Sequence, residues 1–175
     1  MRRLILMRHA KSSWADVNQH DAARPLNERG RRAAPVMGDW IAKQGLVPDF
    51  ALVSTARRTL ETWELAAPRM AGPTGLPPNH ASEPSIYNAA PETLLRLVQE
   101  QPDDIGALLV LGHEPGVPGL LRALCGPEVV EGGARAFGKY PTGAVAALEF
   151  EVERWAEVTA GAGRLVAYAQ PRDFD

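Results

Sequence analysis

Cysteine is nearly absent from this chain, which has one in 175 residues. A disulfide framework and a zinc site built from several thiolates both need more than one cysteine, so both are excluded. An excess of charge is also lacking, because 19 Lys and Arg side chains stand against 21 Asp and Glu side chains. The net charge of −2 argues against a general nucleic-acid or acidic-membrane binder, which usually carries a strong basic excess.

Long apolar runs are lacking as well. The N-terminal run, residues 4–7, ends at Arg8, whereas the apolar region of a signal peptide needs about 7–15 residues. No other stretch approaches the roughly 18 apolar residues of a membrane span. We therefore expect a cytosolic protein whose partners include neither nucleic acid nor membrane. The histidines show no pair at metal-ligand spacing, so we expect no metal site.

The chain has the composition of an ordinary globular protein, with 45% apolar and 23% charged residues. Its length suits one domain, and we expect residues 1–175 to form it, with the oligomeric state left open. Continuous apolar runs at residues 4–7, 50–53 and 107–111 predict strands buried on both faces of a sheet. Amphipathic helical patterns lie between them. This alternation predicts an α/β three-layer sandwich with a mostly parallel central sheet.

Three further features of the pattern give local predictions. Residues 144–151 and 164–169 predict two more strands, and the stronger polar alternation of the first is typical of an edge strand. Residues 72–82 hold three prolines and two glycines and predict an irregular loop. Pro35 lies inside the first helical pattern, which predicts a helix that is kinked or begins late.

Residues able to bind phosphate follow three of the predicted strands. Arg8 and His9 follow the first, Arg57 and Arg58 lie in the helical pattern after the second, and His113 follows the strand near residue 110. In such sheets ligands bind beyond the carboxyl ends of the strands, where helix N-termini add partial positive charge. Guanidinium groups and helix N-termini suit a phosphoryl dianion, and a neutral imidazole can attack its phosphorus to form a covalent phosphohistidine.

Four segments also resemble a known family. Arg8-His9-Ala10 resembles the Arg-His-Gly signature of the histidine phosphatase (phosphoglycerate-mutase-like) superfamily, residues 54–62 its Ser-Pro-x-x-Arg-Ala-x-Gln-Thr segment, and residues 112–116 its Gly-His block. Residues 24–30 are similar to the Arg-Pro-Leu-Thr-x-x-Gly segment of the small SixA-type phosphohistidine phosphatases. The resemblance runs from residue 3 to about residue 170. The short chain favours the SixA-type branch over the mutases, which carry extra insertions.

The resemblance implies a cofactor-independent phosphatase with His9 as its nucleophile. Arg8, Arg58 and His113 would hold the phosphoryl oxygens, and Arg24 and Ser12 would bind or orient the substrate. The alignment with the family segment places Arg58, and not Arg57, in the phosphate pocket. The substrate would be a phosphorylated protein or a small phosphorylated metabolite, and water would hydrolyse the phosphoenzyme.

The general acid departs from the family pattern. Larger members place a glutamate in a Leu-x-Glu segment, where this chain has Ile86-Tyr87-Asn88. The amide of Asn88 cannot protonate a leaving alkoxide. Glu83 is the nearest carboxylate in the sequence, with Asp21 and Glu114 as further candidates. The imidazole of phosphohistidine leaves with less help from an acid, so the missing glutamate favours N–P or otherwise activated substrates.

Other interpretations remain open or fail. A mutase-like phosphotransferase is disfavoured by the length and the missing glutamate, and a non-catalytic phospho-ligand binding module on the same fold is the other alternative. Residues 133–140 have the spacing of a P-loop, but Tyr140 replaces the Ser or Thr that would bind magnesium, so we predict a loop. Cys125 lacks the Arg six residues later that a cysteine phosphatase needs, since Glu131 stands there.

Overall fold

A single seven-stranded sheet forms the centre of the molecule in the computed structural model, which describes residues 1–175. The strands are β1 (Arg2–Arg8), β2 (Phe50–Ser54), β3 (Asn79–Glu83), β4 (Ala107–Gly112), β5 (Cys125–Val129), β6 (Val145–Phe150) and β7 (Gly163–Ala169). Their order across the sheet is β3-β2-β4-β1-β6-β7-β5. Only β6 runs antiparallel to its neighbours, β1 and β7, so the prediction of a mostly parallel sheet is confirmed.

Helices connect most of these strands. The α-helices are α1 (Glu28–Lys43), α2 (Arg57–Ala66), α3 (Pro91–Gln99) and α4 (Gly116–Leu124). Short 3-10 helices lie at Asp21–Ala23, Ala67–Met70, Pro84–Ile86, Gly133–Phe137, Trp155–Glu157 and Pro171–Phe174. None of the helices combines the length and the apolar character that crossing a membrane requires.

The helices cover both faces of the sheet. Along β1, Leu4 and Leu6 point into one buried cluster, while Ile5 and Met7 point into another. The first cluster includes Leu94 and Val98 of α3 and Val117, Leu120, Leu121 and Leu124 of α4. The second includes Met37 and Ile41 of α1 and Trp63 and Ala66 of α2. Because β1 is buried on both faces, its apolar run shows no polar alternation, and the predicted three-layer sandwich is confirmed.

Two local predictions about strands are wrong. The strand over residues 145–150 is internal, paired with β1 on one side and β7 on the other. Residues 79–83, which begin inside the predicted loop and end one residue beyond it, form β3 at one edge of the sheet, and the opposite edge is β5. The sequence Asn79–Glu83 has no apolar run because its side chains are largely exposed, so a pattern of buried residues could not reveal this strand.

The helix with Pro35 neither begins late nor ends at the proline. Its start is fixed by Asn27, whose side chain accepts a hydrogen bond from the Gly30 backbone N–H at 2.9 Å. Pro35 lies in the second turn of α1, where its missing N–H removes one backbone hydrogen bond, to the Arg31 carbonyl. The amide cap and the burial of Met37 and Ile41 hold the helix across this position.

The sheet order brings together the strand ends from which the chemistry was predicted. β4 lies between β1 and β2 and runs parallel to both, with Arg8 opposite Gly112 and Val53 opposite Leu111. His9, Ser54 and His113 therefore stand at one edge of three adjacent strands. The polar residues after these strands share a single region of the molecule.

The first turn of α1 lies close against the segment after β1. The Asn27 N–H donates to the Lys11 carbonyl at 3.0 Å, and a Cβ added to Gly30 would overlap the same carbonyl oxygen. Only the absence of a side chain at residue 30 permits this approach. The approach fixes the backbone that continues from His9.

Replacing Gly30 by alanine tests this close approach. Alanine normally favours a helix interior by about 1 kcal/mol over glycine, but here we expect Gly30→Ala to destabilise the protein by about 1–3 kcal/mol, because the methyl group would push against backbone atoms. Urea unfolding measures the difference. Gly72→Ala is the control, since a Cβ there meets nothing within 4 Å and the substitution should change stability little. A stabilised Gly30→Ala would contradict the packing.

Candidate active site

The His9 imidazole follows β1 and is 6% exposed. Its Nδ1 lies 2.7 Å from the Ala10 carbonyl oxygen. A carbonyl can only accept, so Nδ1 carries the proton and Nε2 is left with a free lone pair. The Ala10 N–H donates in turn to Thr62 Oγ1 of α2 at 3.0 Å, which ties the segment to the helix. The ring therefore presents a nucleophilic nitrogen.

The His113 imidazole lies beside His9. The two ring centroids are 5.3 Å apart and the planes are tilted by 51°. His113 Nε2 is 2.6 Å from Ser54 Oγ at the end of β2, while its Nδ1 is buried and has no hydrogen-bond partner. When the Ser54 hydroxyl donates to Nε2, Nδ1 carries the ring proton and is a free donor at the site. An unpaired buried donor costs free energy until a ligand oxygen accepts from it.

Both imidazoles are neutral near pH 7. Burial, with a further contribution from the neighbouring charges of Arg58 and Arg8, lowers the pKa of His9 to about 3. Burial and the charge of Arg58 likewise lower the pKa of His113 to about 4. The same two guanidinium groups act on both rings, which shows that the four side chains converge. An uncharged imidazole among cations can attack an electrophile that carries negative charge.

Arg58 is the guanidinium of α2 that faces the site. It is 6% exposed and donates to the Asp21 carbonyl at 2.8 Å and to Asp21 Oδ2 at 3.1 Å. The preceding residue, Arg57, is half exposed and bonds to Glu61 at 2.9 Å on the helix surface. The helix thus directs the two arginines to different environments, and Arg58 is the one that contacts Asp21.

Arg24 and Ser12 also lie in this region. Arg24 is 7% exposed, and its Nη1 donates to Asp21 Oδ1 at 2.8 Å and its Nη2 to Ser12 Oγ at 2.5 Å. The exposed Trp14 ring covers the guanidinium, with the Arg24 Cζ 3.3 Å from the ring centroid. These contacts hold Arg24 in one orientation next to Arg58.

Asp21 is the carboxylate on which this cluster converges. Besides Arg24 and Arg58, the Tyr87 hydroxyl donates to its Oδ2 at 2.7 Å. The hydrogen bond from Tyr87, followed by those from Arg24 and Arg58, lowers the pKa of Asp21 to about 2. Asp21 is therefore ionised near pH 7, and the free protein supplies its own anion to the two arginines.

Arg8 is the last residue of β1 and directly precedes His9. Its Nη1 donates to the Tyr140 carbonyl at 2.8 Å and is 2.9 Å from Glu114 Oε2. Its buried Nε has no partner. Glu114 was a further candidate for the general acid, and the structure places it in this ion pair, with half of its side chain exposed.

Glu83 has other partners than the histidines and arginines. It ends β3 opposite Ser54, and its Oε1 accepts from the Ser85 N–H at 3.0 Å and from Ser85 Oγ at 2.5 Å. These bonds lower the pKa of the Glu83 carboxyl, which makes it a weaker proton donor at neutral pH. The assignment of Glu83 as general acid therefore finds no support in its contacts. Asn88 is exposed with φ +55°, a left-handed conformation that asparagine adopts more readily than most residues.

Two aromatic residues of the site were missed by sequence reasoning. Tyr87 packs edge-on against His113, with 5.6 Å between ring centroids, as well as bonding to Asp21. Trp14 stacks on Arg24. Tyr87 lies in the segment Ile86-Tyr87-Asn88, which corresponds to the family's Leu-x-Glu segment. This correspondence is a sequence signal that residues 86–88 lie near the site. Nothing in the sequence around Trp14 pairs it with an arginine ten residues away.

The two buried histidines predict a specific loss of stability in acid. Their pKa values lie below about 6.5, the value in an unfolded chain, so below that pH the unfolded state binds protons that the folded state does not. We expect the free energy of unfolding to fall as pH is lowered, by about 2 kcal/mol for each histidine between pH 7 and pH 5. Urea unfolding at both pH values measures the loss.

The variant His9→Gln isolates one of these contributions. It should lose about 2 kcal/mol less than the parent protein over the same interval. His20→Gln, at an exposed histidine, is the matched control and should keep the parent's pH dependence. An unchanged slope in His9→Gln would show that His9 is not held neutral by burial.

Comparison with known proteins places this geometry in a family. The model of the histidine phosphatase superfamily (branch 1) matches residues 4–80. An uncharacterised protein of Mycobacterium tuberculosis is 35% identical over 170 residues, covering 95% of this chain and 100% of that protein.

Two crystal structures share the whole fold. A protein of Agrobacterium tumefaciens named as the phosphohistidine phosphatase SixA is 28% identical, with a TM-score of 0.79 over 97% of this chain and 98% of the other. A SixA of Nakamurella multipartitia, named in the same way, is 26% identical, with a TM-score of 0.81 over 97% and 96%. The chain therefore belongs to the histidine phosphatase superfamily and is of the SixA type.

Proposed function

We propose that this phosphatase hydrolyses phosphohistidine or small phosphoesters through a covalent phosphohistidine on His9. The observation that carries the proposal is the free lone pair of His9 Nε2, fixed by the bond from Nδ1–H to the Ala10 carbonyl and surrounded by cations. The imidazole is neutral and oriented before the substrate arrives. A nucleophile in this state needs no base to activate it.

The reaction then has two steps. Nε2 attacks phosphorus, the N–P bond forms, and the bond to the leaving group breaks with its electron pair going to that group. Arg8 and Arg58 offset charge on the phosphoryl oxygens, and His113, whose ring lies 5.3 Å from that of His9, helps to hold the phosphoryl group. Water then attacks the phosphorus, the N–P bond breaks, and orthophosphate leaves with His9 restored.

Asp21 has two roles in this proposal. A phosphoryl dianion competes with its carboxylate for Arg58, because each supplies oxygens to the same guanidinium. Once displaced, Asp21 loses hydrogen bonds that hold its pKa low and faces a dianion, so its affinity for a proton rises. It can then take up a proton from solvent water and pass that proton to the leaving group.

The leaving group decides how much this acid matters. The imidazole of a phosphohistidine leaves more easily than an alkoxide, and the site lacks the glutamate of the larger family members. Phosphohistidine, on a phosphorylated protein, is therefore the substrate that we place first, with small phosphorylated metabolites second. The cytosolic location stays a prediction.

The covalent step is tested on His9. We expect His9→Ala to abolish turnover of para-nitrophenyl phosphate and to remove the acid-labile phosphate that brief incubation and alkaline denaturation should reveal on the parent protein, because no other imidazole at the site replaces Nε2. His80→Ala is the control, since His80 lies near the start of β3, at the end of the strand opposite the site.

The same assay separates the alternatives. Turnover by His9→Ala equal to that of the parent protein would end the proposed mechanism. Phosphate binding without turnover in the parent protein would favour a non-catalytic binding module. Dominant transfer of the phosphoryl group to an added alcohol would favour a mutase-like phosphotransferase.

The acid is tested by comparing two carboxylates. We expect Asp21→Asn to lower kcat on an alkyl phosphate by about 100-fold, as loss of a general acid does, while activity on phosphohistidine falls only a few-fold. Glu83→Gln should keep both activities, because Glu83 bonds only to Ser85. Steady-state kinetics on both substrates measure the effects. Equal losses on the two substrates in Asp21→Asn would assign Asp21 to positioning the arginines, and a selective loss in Glu83→Gln would restore that residue as the acid.

A further inference from the structure

A cavity of about 450 Å³ is lined in part by Arg8, and Asp21, Arg24 and Arg58 are not among its lining residues. Its charged lining residues are Arg8, Lys11, Arg29, Glu114, Lys139 and Arg172. We call it the basic cavity. Arg8 belongs both to this cavity and to the group around His9, so the two regions are continuous.

The basic cavity concentrates positive charge in a protein whose net charge is negative. Five of its side chains are cationic and one, Glu114, is a carboxylate already paired with Arg8. Thirteen of the 19 Lys and Arg side chains form ion pairs elsewhere or at the site. Four of the remaining six, Lys11, Arg29, Lys139 and Arg172, line this one cavity. Like charges gathered without counter-charges repel one another unless an anion is bound.

Four separate segments deliver these cations. The close approach of Gly30 to the Lys11 carbonyl sets Arg29 of α1 next to the segment after His9. The C-terminal turn brings in Arg172, because Pro171 packs against Gly143, where a Cβ would lie 2.7 Å from the proline ring. Gly143 itself donates to the His9 carbonyl at 2.9 Å. The backbone around His9 thus fixes the walls of the cavity.

We propose that the basic cavity binds a second anionic group, a phosphate or a carboxylate, on the same small molecule whose phosphoryl group is transferred to His9. The inference rests on the proposed function and concerns its second substrate class, which it narrows from small phosphorylated metabolites in general to esters with two anionic groups. The volume lies in the range of small-molecule sites. The lining holds no large apolar or aromatic side chain of the kind that anchors a protein partner.

Binding of simple anions tests the subsite without requiring turnover. Calorimetry on the full chain should show that tripolyphosphate, which can reach both regions, binds at least about tenfold more tightly than orthophosphate. Arg29→Gln and Lys139→Gln should each raise the dissociation constant of tripolyphosphate by about tenfold. Both should leave the dissociation constant of orthophosphate and the kcat on para-nitrophenyl phosphate within about twofold, since one phosphoryl group does not reach the cavity.

Lys43→Gln is the matched control. Lys43 ends the helix that begins near Arg29, about 21 Å away at 1.5 Å per residue, and its replacement removes the same charge. If Lys43→Gln and Arg29→Gln raised the dissociation constant of tripolyphosphate equally, the effect would come from the overall charge of the protein and not from the cavity, and the proposal would be overturned. Equal affinities for tripolyphosphate and orthophosphate would likewise overturn it. A tenfold effect restricted to a phosphohistidine peptide with acidic neighbours would assign the cavity to a protein substrate and also overturn it.

The outcomes for the two proposals are distinct. Intact discrimination between tripolyphosphate and orthophosphate in a protein without turnover would support the subsite and refute the hydrolase. Normal turnover of para-nitrophenyl phosphate, with no effect of Arg29→Gln or Lys139→Gln on the binding of tripolyphosphate, would support the hydrolase and refute the subsite.

Discussion

The hydrogen bonds that hold Arg24 and Arg58 on Asp21 are the interaction on which the site depends. Two guanidinium groups, each less than one-tenth exposed, lie close together. The charge of Arg58 also helps to lower the pKa of the His9 and His113 imidazoles. Burying such cations without a counter-charge is strongly destabilising. Asp21 supplies that charge in the free protein, and Tyr87 and Ser12 orient the group around it. The cluster is thus ready for an oxyanion before one is present.

The sheet makes this concentration of charge possible. β2, β4 and β1 are adjacent and parallel, so that one edge collects the residues following each strand. The covering helices bury both faces and keep the strands rigid, while the glycine at position 30 lets α1 press against the segment after His9. The reactive imidazole is therefore held by packing on three sides, which is the preorganisation that phosphoryl transfer requires.

Much of this arrangement could be predicted from the sequence, and the exceptions have physical reasons. Continuous apolar runs predict the buried strands. The motifs that follow these strands predict Arg8, His9, Arg58 and His113 as residues of the site. A pattern of buried residues does not show which strands are neighbours in the sheet. The sequence therefore does not predict the exposed strand β3, and it predicts β6 as an edge strand although β6 is internal. The Asp21–Tyr87 contact joins residues 66 positions apart and depends on where two loops meet. Glu83 was chosen by proximity in sequence, although its carboxylate turns to Ser85.

The carboxylate of Asp21 also determines which anions the site can bind, because it already occupies Arg24 and Arg58 in the free protein. Any anion that enters must replace Asp21, which is tethered to the chain and so present at high effective concentration. A singly charged acetate or chloride gains little by that exchange, whereas a dianion brings more charge to the same guanidinium groups. Orthophosphate formed in the site meets the returning carboxylate, which lowers its residence time. The resting ion pair therefore favours turnover in a solution rich in competing anions.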